Sequence, residues 1–310
     1  MAIKGLDLVT FSVDDASAAD RFLMQWGLKR VADPRFGSRY ECADGSAVRF
    51  APSSSDFLPA GVQPGPTVRE VMWGVESPAD IERLHHELAS DRPVEVDEEG
   101  ALHTVDDSGL AIAFRVSHKQ SLKVDPLGFN TPGAPQRINS PSRFYKSAEP
   151  QELSHIVIGV ANFSQAESFY RERLGFTVSD RYQGRGVFLR GAPRGNHHNL
   201  FLLDDGKNSF NHLAFKVRDI HEVIGAGQQF QALGWQTHIG PGRHYASSGC
   251  FWYFKSPFGG ALEYVADEDI LTEAWQSSVF TPTPEMFSEW HFGAEGPKLG
   301  PLAKPGAESS

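Results

Sequence analysis

The chain has 310 residues, enough for two ordinary domains, and 40% of them are hydrophobic, enough to fill two cores. Its net charge of −10 and pI near 5.6 exclude a nucleic-acid binder working through a basic face, and no basic stripe interleaved with aromatics occurs. Cys42 and Cys250 are too few for a disulfide framework and lack zinc-site spacing. No apolar run approaches the roughly 20 residues that span a bilayer, and MAIKGLDLVTFSV enters strand-like alternation without a signal-peptide core, so a cytoplasmic protein is expected.

LDLVTFSV (6–13) reads as a strand, DDASAADRFLMQW as a helix, and GLKRV as the start of further strands. REVMWGVESPADIERLHHEL (69–88) is a second strand passing into a helix, closed by the strand GLAIAFRV (109–116). Residues 119–151 are rich in Pro, Asn and Ser and predict a linker or an ordered surface crossing. LSHIVIGV (153–160), ANFSQAESFYRERL and GFTV then restate the opening at an offset of 147, with one residue gained near the helix end. Here Ser164 and Glu167 form a capping-box pattern, and Gly175 marks the helix stop. The short alternating segments RGVFLRG and NLFLLD follow, bounded by turn residues. NHLAFKVRDIHEVIGAGQQFQAL (211–233) is a fourth strand–helix unit, closed by FWYFKSPFGGALEYV (251–265). The end, GAEGPKLGPLAKPGAESS, reads as mobile.

The pattern predicts an α+β fold of four βαβββ modules paired into two similar domains, residues 1–118 and 152–270, with a linker over 119–151 and an extension over 271–310. His155 falls on the first strand of the third module, His212 on the matching strand of the fourth, and Glu263 on a closing strand. If those strands line one concave sheet, two His and one carboxylate compose a facial triad that leaves positions open on Fe(II) for substrate and oxygen. In the first half Leu8 takes the place of His155, Glu70 falls near that of His212, and Ile112 or Ala113 near that of Glu263. One surviving ligand type does not hold a metal, so the N-terminal domain reads as a degenerate copy kept for packing.

In GNHHNLFLL adjacent residues point to opposite faces, and register favours His198 over His197 as the inward group. His244 ends a predicted turn, GPGRH, and strand alternation in FWYF sets Tyr253 on the face opposite Trp252 and Phe254. His118, His221, His238 and the pair His85–His86 match no site position and are predicted at the surface.

With SHIVIGV, HHN, NHLAFKV, GPGRH followed nine residues later by Tyr253, and Glu263 ten residues after that, the chain resembles the type I extradiol ring-cleavage dioxygenases. This is the two-domain catechol and dihydroxybiphenyl dioxygenase family of the vicinal oxygen chelate superfamily. The resemblance covers residues 1 to about 270, through modular architecture in the first half and motifs in the second. It implies the glyoxalase/bleomycin resistance/dihydroxybiphenyl dioxygenase fold, with His155, His212 and Glu263 as ligands to Fe(II), or Mn(II), which the same donors suit. It also implies His198 as the acid–base residue, and His244 and Tyr253 as partners of the substrate oxygens. The implied reaction is meta cleavage of a catecholic substrate by O2 to a 2-hydroxymuconic semialdehyde-type product, by a homo-oligomer with no nucleic-acid or membrane partner. One departure is Ile239, which stands where the homoprotocatechuate branch has an Arg. Other readings are a glyoxalase- or epimerase-like metal enzyme of the same superfamily, which usually uses four ligands, and a metal-free binding protein of the bleomycin-resistance type.

Overall fold

The computed structural model describes residues 3–299 apart from 126, 127, 143, 294 and 295, so most of the tail predicted to be mobile lies outside the described residues. Two sheets share one strand order. The first runs Lys29–Asp33, Gly37–Glu41, Ala47–Pro52, Ile3–Val13, Thr67–Val75, Ala111–Val116, Leu102–Val105, Glu95–Val96. The second repeats it in its eight inner strands: Thr177–Tyr182, Gly186–Arg190, Leu200–Asp204, Glu152–Val160, Ser209–Lys216, Ala261–Ala266, Cys250–Lys255, Thr237–His244. Each half is thus a pair of βαβββ modules, as the repeat predicts. The helices are α1 (Ala16–Trp26), α2 (Pro78–Leu88), α3 (Phe163–Ser168) and α4 (Ile220–Ala232).

Local chemistry sets the helix ends. Asp15 caps α1 by accepting from the Ala18 N–H at 2.9 Å, and Asp219 caps α4 by accepting from Glu222 at 3.0 Å. The predicted box of Ser164 and Glu167 is not the cap of α3. Asn162 accepts from the Gln165 N–H there, because Ser164 already lies inside the first turn, and Glu167 pairs with Arg171 and Arg181. The residue gained in the second copy appears as a π-helical turn, Phe169–Arg173, before Gly175 ends the helix at φ 77°. A one-residue insertion in a helix is commonly absorbed in this way.

Gly27 ends α1 at φ 102°, and a side chain there would meet the Ala148 carbonyl oxygen at 2.0 Å. That close approach seats the far end of the segment joining the two halves. Ala43 and Asp44 donate to the Pro150 and Gln151 carbonyls, and Gln120 donates to Asp44, so both ends of the predicted linker are an ordered crossing.

Side-chain parity divides each sheet into two faces. On the strand Glu152–Val160, Ile156, Ile158 and Val160 face the helices, whereas His155 and Val157 line a cavity on the other side. A buried core joins the two halves: Trp26 of α1 stacks on Tyr264 at 3.7 Å, and the Tyr264 hydroxyl donates to the Trp26 carbonyl at 2.9 Å. No helix among the described residues is long and apolar enough to cross a membrane.

Candidate metal centre

On the second sheet, Val157 sits opposite His212, Ala214 beside Glu263, and Glu263 directly across from Tyr253. All three predicted ligands therefore reach the cavity face of adjoining strands. His155 Nε2 lies 3.2 Å from Glu263 Oε2, His212 Nε2 lies 3.3 Å from the same oxygen, and the two nitrogens are 3.3 Å apart. Adjacent donors on an ion with bonds of about 2.1 Å stand about 3.0 Å apart in octahedral and about 3.4 Å in tetrahedral geometry, so this triangle suits one small divalent ion.

The surrounding hydrogen bonds aim the donors. Asn211 Oδ1, which can only accept, is 2.8 Å from His212 Nδ1 and leaves its Nε2 lone pair pointing inward. Ser154 gives its hydroxyl proton to Glu268 at 2.6 Å, so its oxygen accepts from His155 Nδ1 at 3.1 Å, with Glu268 Oε1 a further 3.4 Å contact. Outer partners of this kind orient metal-binding imidazoles. Both oxygens of Glu263 are buried and accept no hydrogen bond from the described residues. The groups facing them are imidazoles, and a buried carboxylate is costly unless a positive charge compensates it.

Burial opposes a charged His155, yet Glu263 and Glu268 beside it raise its pKa to about 9. Burial likewise opposes the Glu263 charge, and the adjacent imidazoles of His155, His212 and His244 hold its pKa well below the usual carboxylate range. Burial lowers the pKa of His212, and burial together with neighbouring imidazoles drives that of His198 down strongly. A second trio, His155, His198 and Glu268, also brings donor atoms within 4.8 Å of one another. There, however, Glu268 already takes the Ser154 hydroxyl and lies 3.7 Å from the Lys216 ammonium, so its charge is compensated.

The cavity, about 80 Å³, is walled by Tyr182, Phe188, Phe201 and Phe287 and floored by His155, His198, His212, His244 and Tyr253. His198, not His197, lines it, and its ring lies 4.0 Å from that of His155. The Tyr253 hydroxyl is 2.9 Å from His244 Nε2, while Trp252 and Phe254 pack in the helix-side core. His244 Nδ1 lies 3.1 Å from the Phe287 carbonyl, which can only accept, so in a neutral ring Nε2 accepts the Tyr253 proton. Contrary to expectation, GPGRH is not a turn. It is the end of the strand Thr237–His244, with Pro241 inside a register shift between Ile239 and Gly242, where no ladder N–H is required.

The sequence reading missed Asp180, Ser154 and Glu268, and missed that Phe287 of the extension completes the cavity. Glu268 lies beyond its strand, where no periodicity signals a direction. His85, His86, His221 and His238 are exposed as expected, and His118 is half-buried beside a cavity of the first sheet.

The first sheet lacks this trio. By register Ala113 is the counterpart of Glu263, Glu70 of His212, and His103 of Tyr253. Leu8, Ala47, Met72, Ala101 and Ala113 form an apolar cluster at the corresponding place. Two larger cavities, of about 440 and 660 Å³, lie on this sheet, and several of their charged groups pair with one another. His103 bridges Glu70 at 2.8 Å and Asp97 at 3.1 Å, and Arg49 faces Glu70 and Asp33. The larger cavities are therefore not where a buried carboxylate and two imidazoles converge.

Residues 152–264 match the model of the Glyoxalase/Bleomycin resistance protein/Dioxygenase superfamily. Metapyrocatechase 2 of Cupriavidus necator is 31% identical over 143 residues, 46% of this chain and 44% of that protein. A manganese-dependent 2,3-dihydroxybiphenyl 1,2-dioxygenase of Geobacillus genomosp. 3 is 27% identical over 122 residues, 39% of this chain and 38% of that protein. The chain thus aligns with less than half the length of these two curated relatives. Among solved structures, the Mn(II)-bound glyoxalase from Novosphingobium aromaticivorans overlaps 99% of this chain and 96% of its own at TM-score 0.75 and 21% identity. A halotolerant catechol dioxygenase overlaps 94% of each chain at TM-score 0.71 and 19% identity. The chain therefore has the paired-module fold of these structures, and the superfamily match lies in its second half.

Proposed function

We propose that this protein cleaves the ring of a catecholic substrate next to its hydroxylated carbons with O2, at an Fe(II) or Mn(II) ion held by His155, His212 and Glu263. The observation that carries the reading is the triangle of donor atoms with 3.2–3.3 Å edges around a buried carboxylate that accepts no hydrogen bond from the described residues. When bound, the ion would accept both catechol oxygens and O2, acidify the coordinated hydroxyls and carry electron density between the two reactants.

The remaining work falls to the chain. His198 lines the cavity with its ring against that of His155, in reach of a proton leaving a substrate hydroxyl and able to return it later in the cycle. Burial, and next the charge of Glu263, push the Tyr253 pKa well above its ordinary value, so it stays a phenol that donates a hydrogen bond. With His244 it forms a donor–acceptor pair that orients a substrate oxygen. The aromatic walls exclude water and contact the flat faces and edges of a ring.

A glyoxalase-like activity is the second reading, supported by the overlap with the Mn(II)-bound glyoxalase. Against it, three donor atoms converge here rather than four, and a His–Tyr pair stands beside them. The test is to load the protein anaerobically with Fe(II) or Mn(II), add a panel of mono- and bicyclic catechols, and admit air. A yellow ring-opened product with uptake of O2 is expected. A protein that binds metal, consumes no O2 with any catechol, and isomerises a hemithioacetal would establish the second reading.

A further inference from the structure

His197 is fully buried and lies behind the cavity, touching no group assigned to the metal. Its two nitrogens are nonetheless both engaged. His197 Nε2 lies 2.8 Å from Asp180 Oδ2, and His197 Nδ1 lies 3.1 Å from His198 Nδ1. Ser179 gives its hydroxyl proton to the His197 carbonyl, which fixes the backbone of the pair. The other Asp180 oxygen, Oδ1, accepts the Ser278 backbone N–H at 2.6 Å, and Trp275 donates to the Ser179 carbonyl at 2.9 Å, so the extension after residue 271 locks the carboxylate in place.

We infer that Asp180 and His197 are positioning residues that hold His198 as the Nδ1–H tautomer, with its bare Nε2 turned to the cavity as the proton acceptor. The argument follows the donors. Asp180, buried and receiving the Ser278 N–H, acts as the acceptor for His197 Nε2–H. A neutral His197 then has only a lone pair at Nδ1, so the shared bond takes its proton from His198 Nδ1. His198 Nε2 is left without a proton on the side where the ring lines the cavity. When His198 accepts a substrate proton at Nε2, its Nδ1 proton can pass to His197 Nδ1, and the positive charge comes to rest beside Asp180. The reverse transfer restores the acid for the second half of the reaction. The catalytic part of this inference rests on the function proposed above, whereas the hydrogen-bond chain itself does not.

Asp180→Asn is a sharp probe because its amide cannot choose its orientation. Oδ1 must still accept from Ser278, so the amide NH2 faces His197 and has to donate. His197 would then accept at Nε2 and donate from Nδ1, and His198 would carry its proton on Nε2, the wrong nitrogen for a base. The corresponding change in a Ser–His–Asp triad reduces turnover about 10⁴-fold with the geometry intact. Here kcat is expected to fall by roughly 10²–10⁴-fold, with metal content and KM for the catechol little changed. His197→Phe, which keeps a ring and removes both nitrogens, should lose as much. His197→Asn keeps an acceptor near the Nδ1 position and should recover to within about tenfold of wild type.

The readout independent of activity is ¹⁵N–¹H NMR of histidine-labelled protein loaded with Zn(II), a diamagnetic stand-in. Wild-type His198 should be protonated at Nδ1, and in Asp180→Asn it should switch to Nε2. A wild-type His198 protonated at Nε2 overturns the inference, as does an Asp180→Asn protein with the switched tautomer and unchanged kcat. A wild-type protein that cleaves no catechol defeats the functional reading alone, since the tautomer measurement still decides the hydrogen-bond chain.

Discussion

Tyr253→Phe isolates one hydroxyl in the candidate site. That hydroxyl lies 2.9 Å from His244 Nε2, and its ring stands edge-on to His212 at 4.9 Å and across the strand from Glu263. The substitution keeps the ring and its packing against Phe251, so no cavity larger than one oxygen opens. In the free protein the loss is one neutral hydrogen bond, about 1 kcal/mol, worth roughly 2–4 °C in melting temperature for a chain of this size or somewhat smaller. In the reaction the phenol would face a substrate oxygen that carries charge, and such a bond is worth about 1.5–3 kcal/mol. kcat/KM for ring cleavage should therefore fall by roughly 10- to 150-fold, with bound metal unchanged. His244→Asn should show a similar loss, and the two changes should be non-additive by at least about 0.5 kcal/mol because they share one hydrogen bond. The assay is stopped-flow detection of the yellow product, paired with a thermal melt of the same preparation. A variant that melts about 10 °C lower yet cleaves at the wild-type rate would remove Tyr253 from the site, and strict additivity with His244→Asn would refute the shared role.

Glu263→Gln keeps the shape of the ligand and removes its charge, so metal affinity should fall by at least about 10²-fold, read by competition with a coloured chelator; retention of a full equivalent of iron would refute the ligand assignment. His103 is held between Glu70 and Asp97, and chiefly its hydrogen bond to Glu70 raises its pKa in the folded state. Its contribution to stability is then complete below the unfolded value of about 6.5 and disappears as pH climbs through the raised folded value, so the melting-temperature gap between wild type and His103→Gln should be wider at acid than at alkaline pH. Trp26→Ala removes a fully buried ring stacked on Tyr264 of the other half. A loss of about 3–5 kcal/mol is expected by urea titration, with both halves weakened together because they share this core.

The repeat, the four strand–helix units and the parity of His155, His212, Glu263 and Tyr253 were legible along the chain, because a strand alternates with a period of two whatever surrounds it. The choice of His198 over His197 was read from the same parity, whereas the structure sets both in the loop before the strand Leu200–Asp204. That the N-terminal copy lacks the trio followed from the offset, since Leu8 and either Ile112 or Ala113 offer no donor atom. What the tertiary structure decided is everything carried by side chains that meet without periodicity. Asp180 reaches His197 from a neighbouring hairpin, Glu268 reaches His155 from beyond its own strand, and Phe287 closes on His244 from the extension. The gained residue in the third module was visible as a count, but only the fold showed it taken up as a π-turn. GPGRH read as a turn because Gly and Pro are local turn signals, whereas pairing with Cys250–Lys255 holds it as a strand. Local pattern specifies which face a residue is on. Which distant residue stands opposite it depends on how the sheets, the crossing segment and the extension pack, and the hydrogen bonds around His155, His197 and His244 arise only from that packing.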